Sequence, residues 1–153
     1  PAHLRDPEPG GVMAMVEGET VERPTSPFVE LIGGRMEEWR EGYVRMSVTL
    51  EECHTNPNGV MHGGVVTTLM DEALGGVIAS VRGLETMFAA PHATVEMNAG
   101  FLAGARPGDH VVVEARVLRV GRRVAFGEAE ARRDGELLAK GRMTFVIMDG
   151  GAA

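Results

Sequence analysis

A chain of 153 residues suits one domain with a core of its own, and 44% apolar with 24% charged residues is the make-up of an ordinary globular protein. A net charge of −7 excludes a general nucleic-acid binder, which needs a basic footprint, though not a small ligand carrying a few phosphates. One cysteine, Cys53, excludes an intrachain disulfide framework or a thiol metal cluster and fits a reducing cytoplasm; no apolar run approaches the roughly 18 residues of a membrane span, and the N-terminus lacks a basic-then-apolar signal pattern.

Residues 1–26, with Pro1, Pro7, Pro9 and Pro24 and several acids, read as a flexible arm with a short helix around Val12–Val16. The folded domain is expected over 27–148. It opens with a short helix from Pro27 to Ile32, capped by Ser26, with Pro27 in the first turn and Gly33-Gly34 ending it. Two strand-like runs follow, Arg35–Arg40 and Tyr43–Leu50, joined by Glu41-Gly42 as a hairpin. Residues 51–63, with Asn-Pro-Asn-Gly and His-Gly-Gly, form a loop. From 64 to 82, apolar residues cover more than half of a helical circumference, which predicts a buried central helix stopped by Gly83. The rest is strand-rich: His92–Phe101, His110–Val120, Arg123–Arg133 and Glu136–Met148, with turns at Arg106-Pro107-Gly108, Gly121-Arg122 and Asp134-Gly135. The order is a hairpin, one long buried helix, then an antiparallel meander. It predicts an α+β layer architecture, with one helix wrapped by a sheet of five to six strands.

The unusual residues concentrate between His54 and Asp71. Gly63 and Gly64 sit where the buried helix begins. The first N–H groups of a helix lack internal partners and carry its positive dipole end, so glycines there let an oxyanion approach those donors. They also suit a plain tight loop. Asp71 lies inside the helix, at the edge of its apolar face, on a small polar stripe with Thr67, Thr68 and Gly75. An aspartate is a poor mid-helix residue and is rarely buried unpaired. Its position describes either a carboxylate on a crevice wall or an acid paired with an arginine or capped by hydroxyls. Glu72 points elsewhere and reads as structural. Gly63 and Asp71 are eight residues apart, roughly 12 Å along a helix, whereas one reacting carbonyl needs both groups within about 3 Å. Two antiparallel helices of a symmetric dimer would bring Gly63 of one subunit to Asp71 of the other. His54, His62, His92 and Asp71 match no common metal spacing, and no phosphate loop, dinucleotide fingerprint or Gly-x-Ser-x-Gly elbow is present.

Asn56-x-x-Gly59-x-x-His62-Gly63-Gly64, with Asp71 at the following interval, resembles the phenylacetate-pathway (PaaI-like) branch of the hotdog thioesterase superfamily. The likeness continues through Thr94-Val95-Glu96-Met97-Asn98, Gly108-Asp109, Val120-Gly121-Arg122 and Ala139-Lys140-Gly141, covering about 27–147. It implies a hotdog fold and an acyl-CoA thioesterase. On that resemblance Asp71 is the general base or nucleophile, and the Gly63 N–H donates to the thioester oxygen. Asn56 orients substrate or water, His62 lies near the thioester or shapes the loop, and Thr94 holds the attacking water. Asn56 also suits a turn, and a threonine in a strand such as Thr94 is ordinary. Coenzyme A enters as part of the substrate; Gly64 lies against it, and Arg119, Arg122 and Arg123 would meet its phosphates or form a solvated hairpin tip. A positioned water, a carboxylate and an oxyanion donor suffice for a thioester, so no cofactor or metal is expected. The resemblance implies a homodimer or homotetramer with sites at the interface, in the cytoplasm, with no nucleic-acid or membrane partner. A non-catalytic acyl-CoA-binding hotdog protein and a hotdog hydratase or dehydratase are the alternatives.

Overall fold

The computed structural model describes residues 25–148; the expected helix around Val12–Val16 lies outside them. Ser26 caps α1 (Pro27–Leu31), its hydroxyl accepting the Val29 N–H at 3.5 Å with Pro27 in the first turn. Then come β1 (Arg35–Arg40), β2 (Tyr43–Thr49), one 3-10 turn at Glu52–His54, α2 (Gly63–Arg82), α3 (Leu84–Ala89), β3 (His92–Phe101), β4 (His110–Val120), β5 (Val124–Arg133) and β6 (Glu136–Ile147). The strands make one antiparallel sheet of six in the order β1-β2-β4-β5-β6-β3, with α2 as the long central helix. This is the expected α+β hotdog fold.

Two features differ from the sequence expectation. The last four strands are not a simple meander. After β2, α2 and α3 carry the chain to the far edge of the sheet, where β3 pairs with β6 (Thr94↔Phe145, Asn98↔Arg142), and β4 returns to lie beside β2 (Val44↔Ala115). Alternation identifies a strand but not its partner, so that crossover is invisible to it. The second feature is α3, whose six residues bury none of their side chains and so show no helical period. Gly83, at φ +80°, ends α2 as expected and starts α3 in the same step. By length and composition α2 is apolar enough to cross a membrane, although no unbroken apolar run reaches that length. In this fold its apolar surface is spent on the sheet.

Val66, Leu69, Met70, Ala73, Leu74, Val77 and Ile78 of α2 are completely buried. Each large side chain among them is worth about 1.5–3 kcal/mol when fully buried. Part of the sheet opposite is made of small residues: Ala115, Ala125, Ala129 and Ala131, with Gly127 and Gly141 among them. A Cβ on Gly141 would sit 3.2 Å from Met70 Sδ, and one on Gly127 would strike the Leu74 side chain. These glycines let the helix come down onto the strands. Trp39 Nε1 donates to the Gly76 carbonyl at 2.9 Å and ties β1 to the helix.

Tyr43, at the start of β2, donates its hydroxyl to Glu114 at 2.5 Å beneath the Arg40 guanidinium, which lies 4.1 Å from the ring centre. Burial, then the hydrogen bond to Glu114 and its negative charge, push the phenol pKa up to about 12. Tyr43 is the single tyrosine of the chain, so tyrosinate absorbance reports it alone. The native protein should ionise near pH 12 and the urea-unfolded chain near pH ~10. A raised pKa stabilises the fold fully below the unfolded value; this contribution is therefore intact below pH ~10 and disappears as pH rises through the native pKa. A native midpoint equal to the unfolded one would show that Tyr43 is not held against Glu114.

Candidate active site

Helix α2 brings its third turn past the edge strand β3. There the half-buried Asp71 accepts a hydrogen bond from Thr94 Oγ1 at 2.6 Å. Among the described residues the aspartate is neither paired with an arginine nor capped by its helical neighbours: Thr67 and Thr68 donate to the carbonyls of Gly63 and Gly64 within the helix. The acid and the strand threonine, named separately in the sequence, meet on the wall of a cavity of about 350 Å³. Met36 of β1, Gly75 of α2, Met87 of α3, and His92 and Phe145 from the sheet complete its wall. Sequence reasoning placed Gly75 beside the acid but did not show the rest of this wall. Met87 belongs to the helix it did not see, and His92 was considered only as a metal ligand. A histidine at the start of β3, with Gly75 one turn beyond the acid, was the available signal. Glu72 also borders the cavity, but its Oε1 accepts the Ser26 N–H at 3.1 Å and so fastens the start of α1, in keeping with a structural role.

The helix start has its own logic. His62 is the N-cap of α2: its Nδ1 accepts the Gly64 N–H at 2.9 Å, and its carbonyl accepts the Val65 N–H at 2.9 Å. Helix α2 therefore begins at Gly63, one residue earlier than the sequence indicated. Among the described residues, the Gly63 N–H donates to no acceptor. A Cβ at Gly63 would sit 3.1 Å from the Phe101 ring, so a glycine fits where that ring crosses the helix end. Asn56 shapes the preceding loop. Its Oδ1 accepts the Asn58 N–H at 2.9 Å, its carbonyl accepts the Gly59 N–H, and Gly59 takes φ +70°. His54 is buried, and its Nδ1 accepts the Glu51 N–H at 2.8 Å.

Within one protomer the remaining candidates stay apart. Gly63 and Asp71 lie roughly 12 Å apart along the helix. Arg122 and Arg123 stand exposed at the β4–β5 turn. Arg119 lies with Arg142, Asn98 and Phe126 in a groove on the sheet face away from α2, and none of the three arginines lines the Asp71 cavity. Among the described residues, no group of three His, Cys, Asp or Glu side chains could hold a metal ion.

The family model described as the thioesterase superfamily matches residues 58–140, which includes the helix start, Asp71, Thr94 and most of the sheet. The chain belongs to the thioesterase superfamily. It is 35% identical over 105 residues to human acyl-coenzyme A thioesterase 13, covering 67% of this chain and 71% of the relative. The solved structure of zebra fish thioesterase superfamily member 2 is 30% identical, with a TM-score of 0.68 over 75% of this chain and 81% of that one. A mutant of the phenylacetic acid degradation protein PaaI from Thermus thermophilus shares the fold, with a TM-score of 0.71 at 22% identity over 78% and 97% of the two chains. The protein is a thioester hydrolase of this superfamily, with the hotdog fold.

In this thioesterase the capping role of His62 can be separated from chemistry. His62→Ala should lower the stability to urea by about 1 kcal/mol, whereas His62→Asn, a good N-cap residue, should keep most of it. Equal unfolding midpoints for wild type and His62→Ala would remove the cap from the account.

Proposed function

We propose that this thioesterase hydrolyses acyl-CoA thioesters to free acid and coenzyme A, with Asp71 as the catalytic carboxylate. The hydrogen bond from Thr94 to Asp71 at the wall of a cavity carries this reading. It fixes one carboxylate oxygen and leaves the other to act on the thioester. As a general base, Asp71 takes a proton from water as the water oxygen bonds to the thioester carbonyl carbon. The C–S bond then breaks, the acid is released, and the proton passes to the departing thiolate of coenzyme A. As a nucleophile, Asp71 bonds to that carbon itself and the C–S bond breaks to expel the coenzyme A thiolate; water then cleaves the resulting anhydride to the free acid and the Asp71 carboxylate, and its proton passes to the thiolate. The similarity to the human relative, an acyl-coenzyme A thioesterase, supports coenzyme A as the thiol.

The oxyanion donor in this proposal is the Gly63 N–H of a second copy of the chain. Strand β3 is an edge of the sheet, and its own Val95, Met97 and Phe101 are 60%, 40% and 56% exposed. A bare apolar edge strand invites pairing with another chain. Antiparallel pairing of two β3 strands about a two-fold axis runs their α2 helices antiparallel, so that the helix start of one faces the Asp71 of the other.

Asp71→Asn should lower kcat/KM by about 100-fold or more while a non-hydrolysable CoA thioether still binds. Full activity in the variant would remove Asp71 from the mechanism. In a single turnover in heavy-oxygen water, label in the Asp71 carboxylate would establish the nucleophilic route, with water attacking the Asp71 carbonyl of the anhydride, because the general-base route puts none there.

Division of the site between subunits has its own test. Gly63→Pro deletes the N–H at a helix position whose backbone tolerates proline, after His62, whose ψ of 133° already suits a following proline, and Gly63→Ala, which adds a Cβ 3.1 Å from the Phe101 ring but keeps the N–H, controls for the crowding. Asp71→Asn and Gly63→Pro should each be nearly inactive, yet refolding them together should restore about a quarter of wild-type activity, because half the dimers then hold one intact site. No recovery on mixing would place both groups in one chain.

A further inference from the structure

We propose that Gly75 determines which acyl groups this enzyme accepts, by keeping open the part of the cavity one helical turn beyond Asp71. The proposal rests on the thioesterase reading above and adds the substrate class to it. Glycine inside a helix is less favourable than alanine by about 1 kcal/mol, and α2 carries two in succession, Gly75 and Gly76. Gly76 has a packing reason. A Cβ there would press on Val44 Cγ2 at 3.3 Å, and its carbonyl receives the Trp39 indole N–H. Gly75 has no such reason. A Cβ at that position would meet His92 Nε2 at 3.6 Å, an ordinary van der Waals distance, and nothing nearer. The fold has room for alanine at 75. What a side chain would take away is cavity.

The cavity is built to receive an acyl group. Asp71 and Gly75 lie on one face of α2, four residues and about 6 Å apart, and both line the same space. A thioester carbonyl held at Asp71 would send its acyl chain along this face toward Met36, Met87 and the edge-to-face pair of His92 and Phe145. Methionine side chains are flexible and adapt to chains or rings of different shape. The volume, about 350 Å³, exceeds twice the roughly 150 Å³ that holds one benzene ring in a protein core. The substrate class is therefore acyl groups with a ring or medium-length chain reaching past Gly75, and not acetyl.

The test compares wild type, Gly75→Ala and Gly75→Leu on acetyl-, decanoyl- and phenylacetyl-CoA. Thioether analogues of the same three acyl groups are titrated in parallel. Alanine should lower the decanoyl-to-acetyl and phenylacetyl-to-acetyl ratios of kcat/KM by about tenfold, and leucine by more, as expected when a pocket loses the space of a methyl group or a larger one. Gly75→Ala should unfold at the same temperature as wild type or higher, which separates loss of space from loss of fold. If Gly75→Leu does not fold, the alanine ratios decide. Unchanged ratios in Gly75→Ala would overturn the proposal. If wild type cleaves none of the thioesters, the thioesterase reading fails. The analogues then decide on Gly75: selective loss of decanoyl and phenylacetyl affinity upholds it, and equal affinities overturn it.

Discussion

The close approach of α2 to the sheet is the constraint on which the rest of the molecule depends. Leu74 lies over Gly127 and Met70 over Gly141, with Ala115, Ala125, Ala129 and Ala131 among the buried strand residues around them. Packing of this density leaves a helix no freedom to roll, because any rotation drives side chains into backbone. The azimuth of every α2 residue is thereby set. A shift of one residue, about 100° around the axis, would carry Asp71 away from β3 and bring a buried apolar residue to the edge. The position of the carboxylate is thus a consequence of core packing several residues away, and the hydrogen bond from Thr94 finishes what the core begins.

The same packing explains what could be read from the sequence. The strands and the long helix were legible because each is long enough to show its period: alternation in β2, β4, β5 and β6, and a wide apolar face in α2. Asp71 was legible because an acid at the edge of such a face is costly unless something receives it. Strand order was not. Val111, Val113 and Ala115 point inward whichever strand lies beside them, and the placing of β4 next to β2 is decided by the path of α2 and α3 across the sheet. Helix α3 buries nothing and left no pattern, so Met87 and the far wall of the cavity went unseen. Asn56 and His62 were noticed through the family resemblance. In the structure their side-chain hydrogen bonds are local ones, an Asx turn and a helix cap. Arg119, Arg122 and Arg123 lie away from Asp71 within one protomer, and sequence spacing could not have shown on which sheet face Arg119 falls.

Capping and the proposed chemistry are two sides of one arrangement at the start of α2. A helix begins with several N–H groups that its own carbonyls cannot satisfy. His62 takes two of them, the Gly64 N–H through its ring and the Val65 N–H through its carbonyl. That leaves Gly63 as the unsatisfied donor at the positive end of a twenty-residue helix. On the proposed reading, the histidine contributes by assignment: it removes its neighbours from competition and leaves a single donor for the oxyanion. Phe101 adds the second condition. Its ring lies where a Gly63 side chain would project, and it belongs to the edge strand that would pair with a second subunit. The absence of a side chain at 63, the ring at 101 and the bare edge of β3 are therefore one steric requirement. A bulkier residue at 63 would disturb the helix start and the apolar edge together, so the donor and the proposed interface cannot vary independently.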